Sequence, residues 1–138
     1  MMRSARAAAS SWSFTLYLDV PSQNSLSGNH GKWSAIRRYR KLRRDATLLM
    51  TSYRNVLEIP TATGKRRITW TRILGPRQRL FDEMNFIGGL KALADSATAA
   101  GLLVDDKPKF YEGVYRQDDT RRAEGPALYV LIEEIQPT

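Results

Sequence analysis

Residues 13–18, SFTLYL, alternate: Phe14, Leu16 and Leu18 fall on one side, Ser13, Thr15 and Tyr17 on the other. A period of two sends successive side chains to opposite faces, so this stretch reads as a half-buried β-strand. The period then changes. Ile36, Tyr39, Leu42, Ala46, Leu49, Tyr53 and Val56 recur every three or four residues, which predicts a helix from Ser34, its N-cap, to about residue 57. Between the two, residues 19–32 (DVPSQNSLSGNHGK) are rich in Pro, Ser, Asn and Gly and form a loop. Loops of that length in a compact domain often carry function.

Alternation returns at residues 66–74 (RRITWTRIL), with Ile68 and Trp70 on one face, Arg72 in phase with them, and Thr69, Thr71 and Ile73 opposite. Gly75-Pro76 ends that strand. Phe86, Leu90, Leu93, Ala97 and Ala100 form the stripe of a second helix over residues 86–100, with Asn85 as N-cap and Gly101 as the C-terminal glycine. Gly88-Gly89 inside it costs about 1 kcal/mol per glycine relative to Ala. The pair therefore marks a close approach, by another element or by a nucleic-acid backbone, packing being the commoner cause. Residues 110–115 make a third strand, 117–125 a polar turn, and 127–135 (ALYVLIEEI) a strand apolar enough to be central. The predicted fold is one α+β domain over residues 13–136, a mixed sheet of about four strands with two main helices in the order β-α-β-α-β-β, behind a disordered lead-in, residues 1–12.

Composition narrows the chemistry. With no cysteine, disulfides, thiolate zinc sites and cysteine nucleophiles are all excluded. His30 is the one histidine, so a metal would rest on oxygen ligands, which suits Mg²⁺ or Mn²⁺. No small-molecule cofactor is expected. The net charge of +8 directs attention to polyanionic partners, nucleic acid before anionic membrane. No apolar run approaches the roughly 20 residues of a membrane span. The apolar run 7–9 is too short for a signal peptide, so a cytoplasmic location is expected.

The charge is concentrated. Six of the eight residues 37–44 are basic: Arg37, Arg38, Arg40, Lys41, Arg43 and Arg44. Positive charge near a helix N-terminus opposes the macrodipole, so local stability does not account for it. Phosphate binding and a plain solvated face both remain open. Arg77 and Arg79 lie just upstream of an acidic turn.

Carboxylates gather at the two ends of the second helix. Asp82 and Glu83 precede it; Lys91 and Asp95, four apart, share a face on it; Asp105 and Asp106 follow the apolar run 102–104. Phosphodiester hydrolysis needs a polarised phosphate, an activated water and a stabilised leaving oxygen, and a divalent ion held by carboxylates supplies all three. Such a site draws acids from separate segments, and Asp82, Asp95, Asp105 and Asp106 are the candidates. Lys91 would hold a carboxylate in place or neutralise charge on the phosphate. The competing reading is that these acids are ordinary turns and caps on a small basic RNA- or DNA-binding protein.

The same residues resemble those of the RusA-like endodeoxyribonucleases, Holliday junction resolvases often encoded by phages and prophages. Members carry Asp-x-Asp-Asn after a strand, then a helix with a lysine and an aspartate four residues later, then a glycine, a short apolar run and Asp-Asp. Here the corresponding residues are Asp82-Glu83-Met84-Asn85, Lys91, Asp95, Gly101 and Asp105-Asp106. The first strand, a Pro-x-x-Asn loop from Pro21 to Asn24, the basic helix and the final strands agree as well, so the resemblance covers roughly residues 13–135. It implies a Mg²⁺- or Mn²⁺-dependent endonuclease for branched DNA in recombination and repair, acting as a homodimer. Catalysis would rest on Asp82, Lys91 and Asp106, and the metal on Asp82, Glu83, Asp105 and Asp106, with Asn85 and Asp95 in support. DNA would meet Asn24, Arg37, Arg38, Arg40, Lys41, Arg44, Arg77 and Arg79. One departure stands out: the motif's second aspartate is Met84 here, and a thioether is a poor Mg²⁺ ligand. Three outcomes follow from the sequence: Glu83 substitutes through a shifted turn, fewer protein ligands hold the metal, or activity is weak or lost on a DNA-binding fold.

Overall fold

A computed structural model describes residues 10–23 and 32–135. The elements run β1 (Ser11–Leu16), α1 (Lys32–Val56), β2 (Arg66–Ile73), α2 (Glu83–Gly89), α3 (Lys91–Ala99), β3 (Tyr111–Asp118), a short 3₁₀ turn (Arg122–Glu124) and β4 (Ala127–Glu134). This is the predicted α+β order, β-α-β-α-β-β, with the second helix in two pieces. The sheet order is β1-β4-β2-β3. β4 runs antiparallel to both β1 and β2, while β2 and β3 are parallel and joined through α2 and α3. The apolar run of β4 is thus explained: it is an inner strand.

Register assembles the buried face row by row. One row is Phe14, Val130, Trp70 and Tyr115; the next is Leu16, Leu128, Arg72 and Gln117. Phe14, Leu16, Ile68, Trp70, Leu128, Val130 and Ile132 are buried there, against Ala46 and Met50 of α1, Phe86 of α2 and Leu93 and Ala97 of α3. The face also takes in two arginines of β2, Arg66 and Arg72. On the other face Arg67 lies in register between Glu112 and Glu133 and pairs with both, at 2.5 and 3.8 Å.

Several predicted boundaries move. β1 begins at Ser11, two residues earlier than the alternation indicated, because Ser11 and Trp12 pair with Glu133 and Ile132; residues 1–9 of the expected lead-in lie outside the described residues. α1 starts at Lys32, so Ser34 lies inside it and is not its N-cap. Leu49 and Val56, assigned to the apolar stripe, are exposed, and Ala35 and Met50 take the buried positions. β3 extends to Asp118, absorbing the start of the predicted turn. Asp82, not Asn85, is the N-cap of α2.

The second helix breaks at Leu90. There the amide N–H bonds both Phe86 O and Ile87 O at 3.1 Å, and α3 restarts at Lys91. The glycine pair lies just before the break, against the segment after β1. A Cβ on Gly89 would sit 1.9 Å from Pro21 O, and one on Gly88 would meet the Gln23 side chain at 2.6 Å. Packing, not nucleic acid, accounts for the pair. α3 ends as expected at Gly101, whose φ is +82°, with Leu102 N bonded to Ala97 O and Gly101 N to Thr98 O.

Candidate active site

The break at Leu90 sets the start of α3 at the edge of a cleft of about 250 Å³. Ile87, Leu90 and Ala94 form its apolar wall, and Lys91, Asp106, Tyr111 and Tyr115 its polar one. Lys91 reaches it from the first turn of α3. Asp106 comes from the turn that follows the buried Leu102 and Leu103. Tyr111 and Tyr115 lie four apart on β3, hence on one face. Gly113 between them leaves room for both rings: a Cβ there would lie 2.2 Å from the Tyr115 hydroxyl and 2.7 Å from that of Tyr111.

The tyrosines form a hydrogen-bonded chain with Trp70. Trp70 Nε1 donates to the Tyr111 hydroxyl at 2.7 Å, and that hydroxyl lies 3.3 Å from Tyr115's. Indole is only a donor, so the Tyr111 proton is left for Tyr115 or the cleft. Burial, foremost, holds Tyr111 in its neutral form by pushing its pKa up.

Behind Asp106 stand two more acids. The Asp105 carboxylate accepts the Asp106 amide N–H at 2.7 Å. Sharing a hydrogen bond with Asp105 is the largest cause that raises the Asp106 pKa; partial burial and the charges of Asp105 and Asp95 add to it. Asp95, one turn after Lys91, accepts a short hydrogen bond from the Tyr39 hydroxyl of α1. Burial first, then this bond, push the Tyr39 pKa up to about 12. Ser96 Oγ donates to Arg43 O at 3.0 Å, a second tie between α1 and α3. The acids at the C-terminal end of the unit therefore lie against the basic helix.

The acids at its other end behave differently. Asp82 is exposed; it makes no side-chain cap and instead accepts from Asn85 Nδ2 at 2.5 Å. Glu83 and Met84 are exposed beside it. Among the described residues no group of three acidic or histidine side chains is placed to hold a metal ion. The expected set of Asp82, Glu83, Asp105 and Asp106 thus does not close into one cage; Asp105 and Asp106 are together, and neither Asp82 nor Glu83 is among the residues that line the cleft. The pair still fits a hard cation. Mg²⁺ is commonly held by one or two carboxylates, with water and phosphate completing its octahedron, and a divalent charge favours the ionised form of both acids.

Of the expected DNA contacts, Arg37, Arg40, Lys41 and Arg44 are exposed on α1, as is Arg43, and Arg38 is half-buried. Asp45 pairs with Lys41 at 2.8 Å and with Arg44 at 3.6 Å. Arg77 and Arg79 are exposed between β2 and α2, while Asn24 lies outside the described residues. Sequence reasoning missed Tyr39, Trp70, Tyr111 and Tyr115. The usable signal was Tyr-x-Gly-x-Tyr in a strand, two aromatics on one face around a residue with no side chain.

No family model matches the chain, and no curated protein matches it. Among the described residues no helix is long and apolar enough to cross a membrane.

Proposed function

We propose that this protein is a metal-dependent endodeoxyribonuclease acting on branched DNA, as its resemblance to the RusA-like resolvases implies. The observation that carries the reading is the convergence of Lys91 and Asp106 in one cleft, backed by Asp105 and Asp95 and tied through Tyr39 to a helix of exposed arginines.

Each part has a task in phosphodiester cleavage. The exposed cations of α1 attract the backbone and hold it at the mouth of the site. Lys91 binds a phosphate oxygen and offsets the charge that grows there as the phosphorus is attacked. Tyr115, with its oxygen directed by Tyr111, donates a hydrogen bond into the same space. Asp105 and Asp106 would hold Mg²⁺ or Mn²⁺, which when bound polarises the phosphate and lowers the pKa of a water. Tyr39 occupies Asp95, which keeps that acid oriented beside the other two.

Nicking of a synthetic four-way junction with Mg²⁺ or Mn²⁺ tests this. Cleavage is expected, with a loss of at least a hundredfold in Asp106→Asn and in Lys91→Ala. Added metal should also raise the melting temperature of the parent, and Asp106→Asn should blunt that rise. No cleavage of any DNA by the folded parent, with either metal, would overturn the reading.

A further inference from the structure

Away from the cleft, a second hollow of about 340 Å³ opens between the segment after β1 and the connection from β2 to α2. Its lining includes Asp19, Pro21, Ser22, Arg72, Arg79 and Phe81. Arg72 belongs to the inner row of the sheet and is only 2% exposed. A charge buried so far is normally paired, since removing it from water costs several kcal/mol.

Arg72 has no such partner. All 14 acids of the chain lie within the described residues, and none forms an ion pair with it. Its guanidinium sits over the Phe81 ring, 3.7 Å from the centroid. Nη1 donates to Arg79 O at 3.0 Å and to Gln117 Oε1 at 2.8 Å, both neutral acceptors. Nε is buried without a partner among the described residues. Burial accordingly pulls the Arg72 pKa down; Asp19 opposes this and Arg122 reinforces it. The single carboxylate in the hollow, Asp19, is exposed and takes a hydrogen bond from Gln78 Nε2 at 2.6 Å.

A cation built into a wall, fixed by two neutral acceptors and one ring, with a hollow in front and no counter-ion, is arranged for an anion supplied from outside. We propose that this hollow is a phosphate subsite, in which Arg72, with Arg79 at the rim, takes one backbone phosphate of bound DNA. The inference rests on the nucleic-acid part of the reading above and not on the chemistry of cleavage. It adds a contact lined by residues 78–81, just before Asp82 in the chain and separate from the cations of α1.

The test is the salt dependence of binding to a fluorescein-labelled DNA duplex, measured by anisotropy without divalent ions. Each phosphate contact contributes a slope of about 0.9 in log affinity against log salt. Arg72→Gln, where it folds, should lower the slope by about 1. Asp19→Asn keeps the oxygen that Gln78 bonds and removes the opposing charge, so it should tighten binding about threefold. Glu58→Gln, the same charge change in the turn just past α1, should not. Tightening in Asp19→Asn alone supports the subsite even where Arg72→Gln does not fold. Unchanged affinity in Asp19→Asn, equal tightening in Glu58→Gln, or no DNA binding by the parent overturns it. A parent that behaves as expected here but never nicks a junction retires the nuclease reading alone. One that nicks junctions while Asp19→Asn changes nothing retires the subsite alone.

Discussion

Gln117 treats Phe81 as a neighbouring strand: its Nε2 donates to Phe81 O at 2.8 Å, and its Oε1 accepts from Phe81 N at 3.0 Å. Gln117 is the Cα partner of Arg72 in the parallel ladder, and the same Oε1 also accepts from Arg72. One carboxamide thus fastens the connection that delivers Asp82 to the start of α2. Gln117→Leu keeps the shape and deletes every bond. It should lower stability by about 1–3 kcal/mol, because both polar groups of the Phe81 backbone lose their partner. Gln117→Glu still accepts from Phe81 N and Arg72 but no longer donates, so its loss should be smaller. Urea unfolding of the three proteins decides; no loss in Gln117→Leu would mean that the connection is held by other contacts.

The two adjacent glycines of α2 should respond differently to alanine. At Gly89 the new methyl meets Pro21 O and the Ser22 carbonyl carbon, both backbone. Neither can swing aside, and overpacking of this kind costs about 1–3 kcal/mol. At Gly88 the obstacle is the Gln23 side chain, which can rotate away. The gain in helix propensity, about 1 kcal/mol, then offsets most of the strain. Melting temperatures should therefore rank Gly88→Ala near the parent and Gly89→Ala well below it. The reverse order would place the loop after β1 elsewhere in solution.

How much of this was legible beforehand depended on whether the signal was periodic. Trp70 and Phe14 announce themselves by alternation and Val130 by an unbroken apolar run, and their strands formed within two residues of the expected bounds. Lys91, Asp95 and Asp106 were found because helix spacing and the Gly101 cap fix how α3 ends. What periodicity could not carry is the relation between segments. Tyr39 reads as one more member of an apolar stripe until α1 is laid on α3 and its hydroxyl meets Asp95. The break at Leu90 is invisible to a stripe that continues unbroken through it from Phe86 to Ala100. Whether the acidic turn at Asp82 joins Asp106 in the lining of one cleft is likewise a tertiary fact, and it does not.

The Tyr39–Asp95 contact should shape alkaline stability. The Tyr39 pKa, raised from 10.0 to about 12 in the folded chain, means that the native state keeps the phenol proton longer than the unfolded one. The associated stability is complete below pH 10 and disappears as pH rises through 12. Tyr39→Phe should unfold more easily at neutral pH, by about 1–2 kcal/mol, and then decline less steeply over the alkaline range. Some decline remains, since burial raises Tyr111 in the same direction. Urea midpoints followed from neutral pH to pH 12 give the comparison. Parallel curves for the two proteins would show that Tyr39 does not hold Asp95 in solution.

Met84 offers the sharpest test of the acidic turn. It is 78% exposed, one residue into α2, so replacing it removes little apolar burial. A carboxylate at that position faces the positive end of the helix dipole, which offsets its repulsion from Asp82 and Glu83. Met84→Asp should therefore fold with nearly unchanged stability. If the turn takes part in holding the metal, the added oxygen ligand should raise single-turnover junction nicking, most of all at limiting Mg²⁺. Unchanged or reduced nicking by the folded variant leaves two explanations, and Glu83→Gln in the parent separates them. Loss of nicking in Glu83→Gln makes Glu83 the acid that serves in place of the missing aspartate. Full nicking in both variants removes Glu83 and position 84 from the metal site and leaves the ion to Asp106, which lines the Lys91 cleft, and its neighbour Asp105.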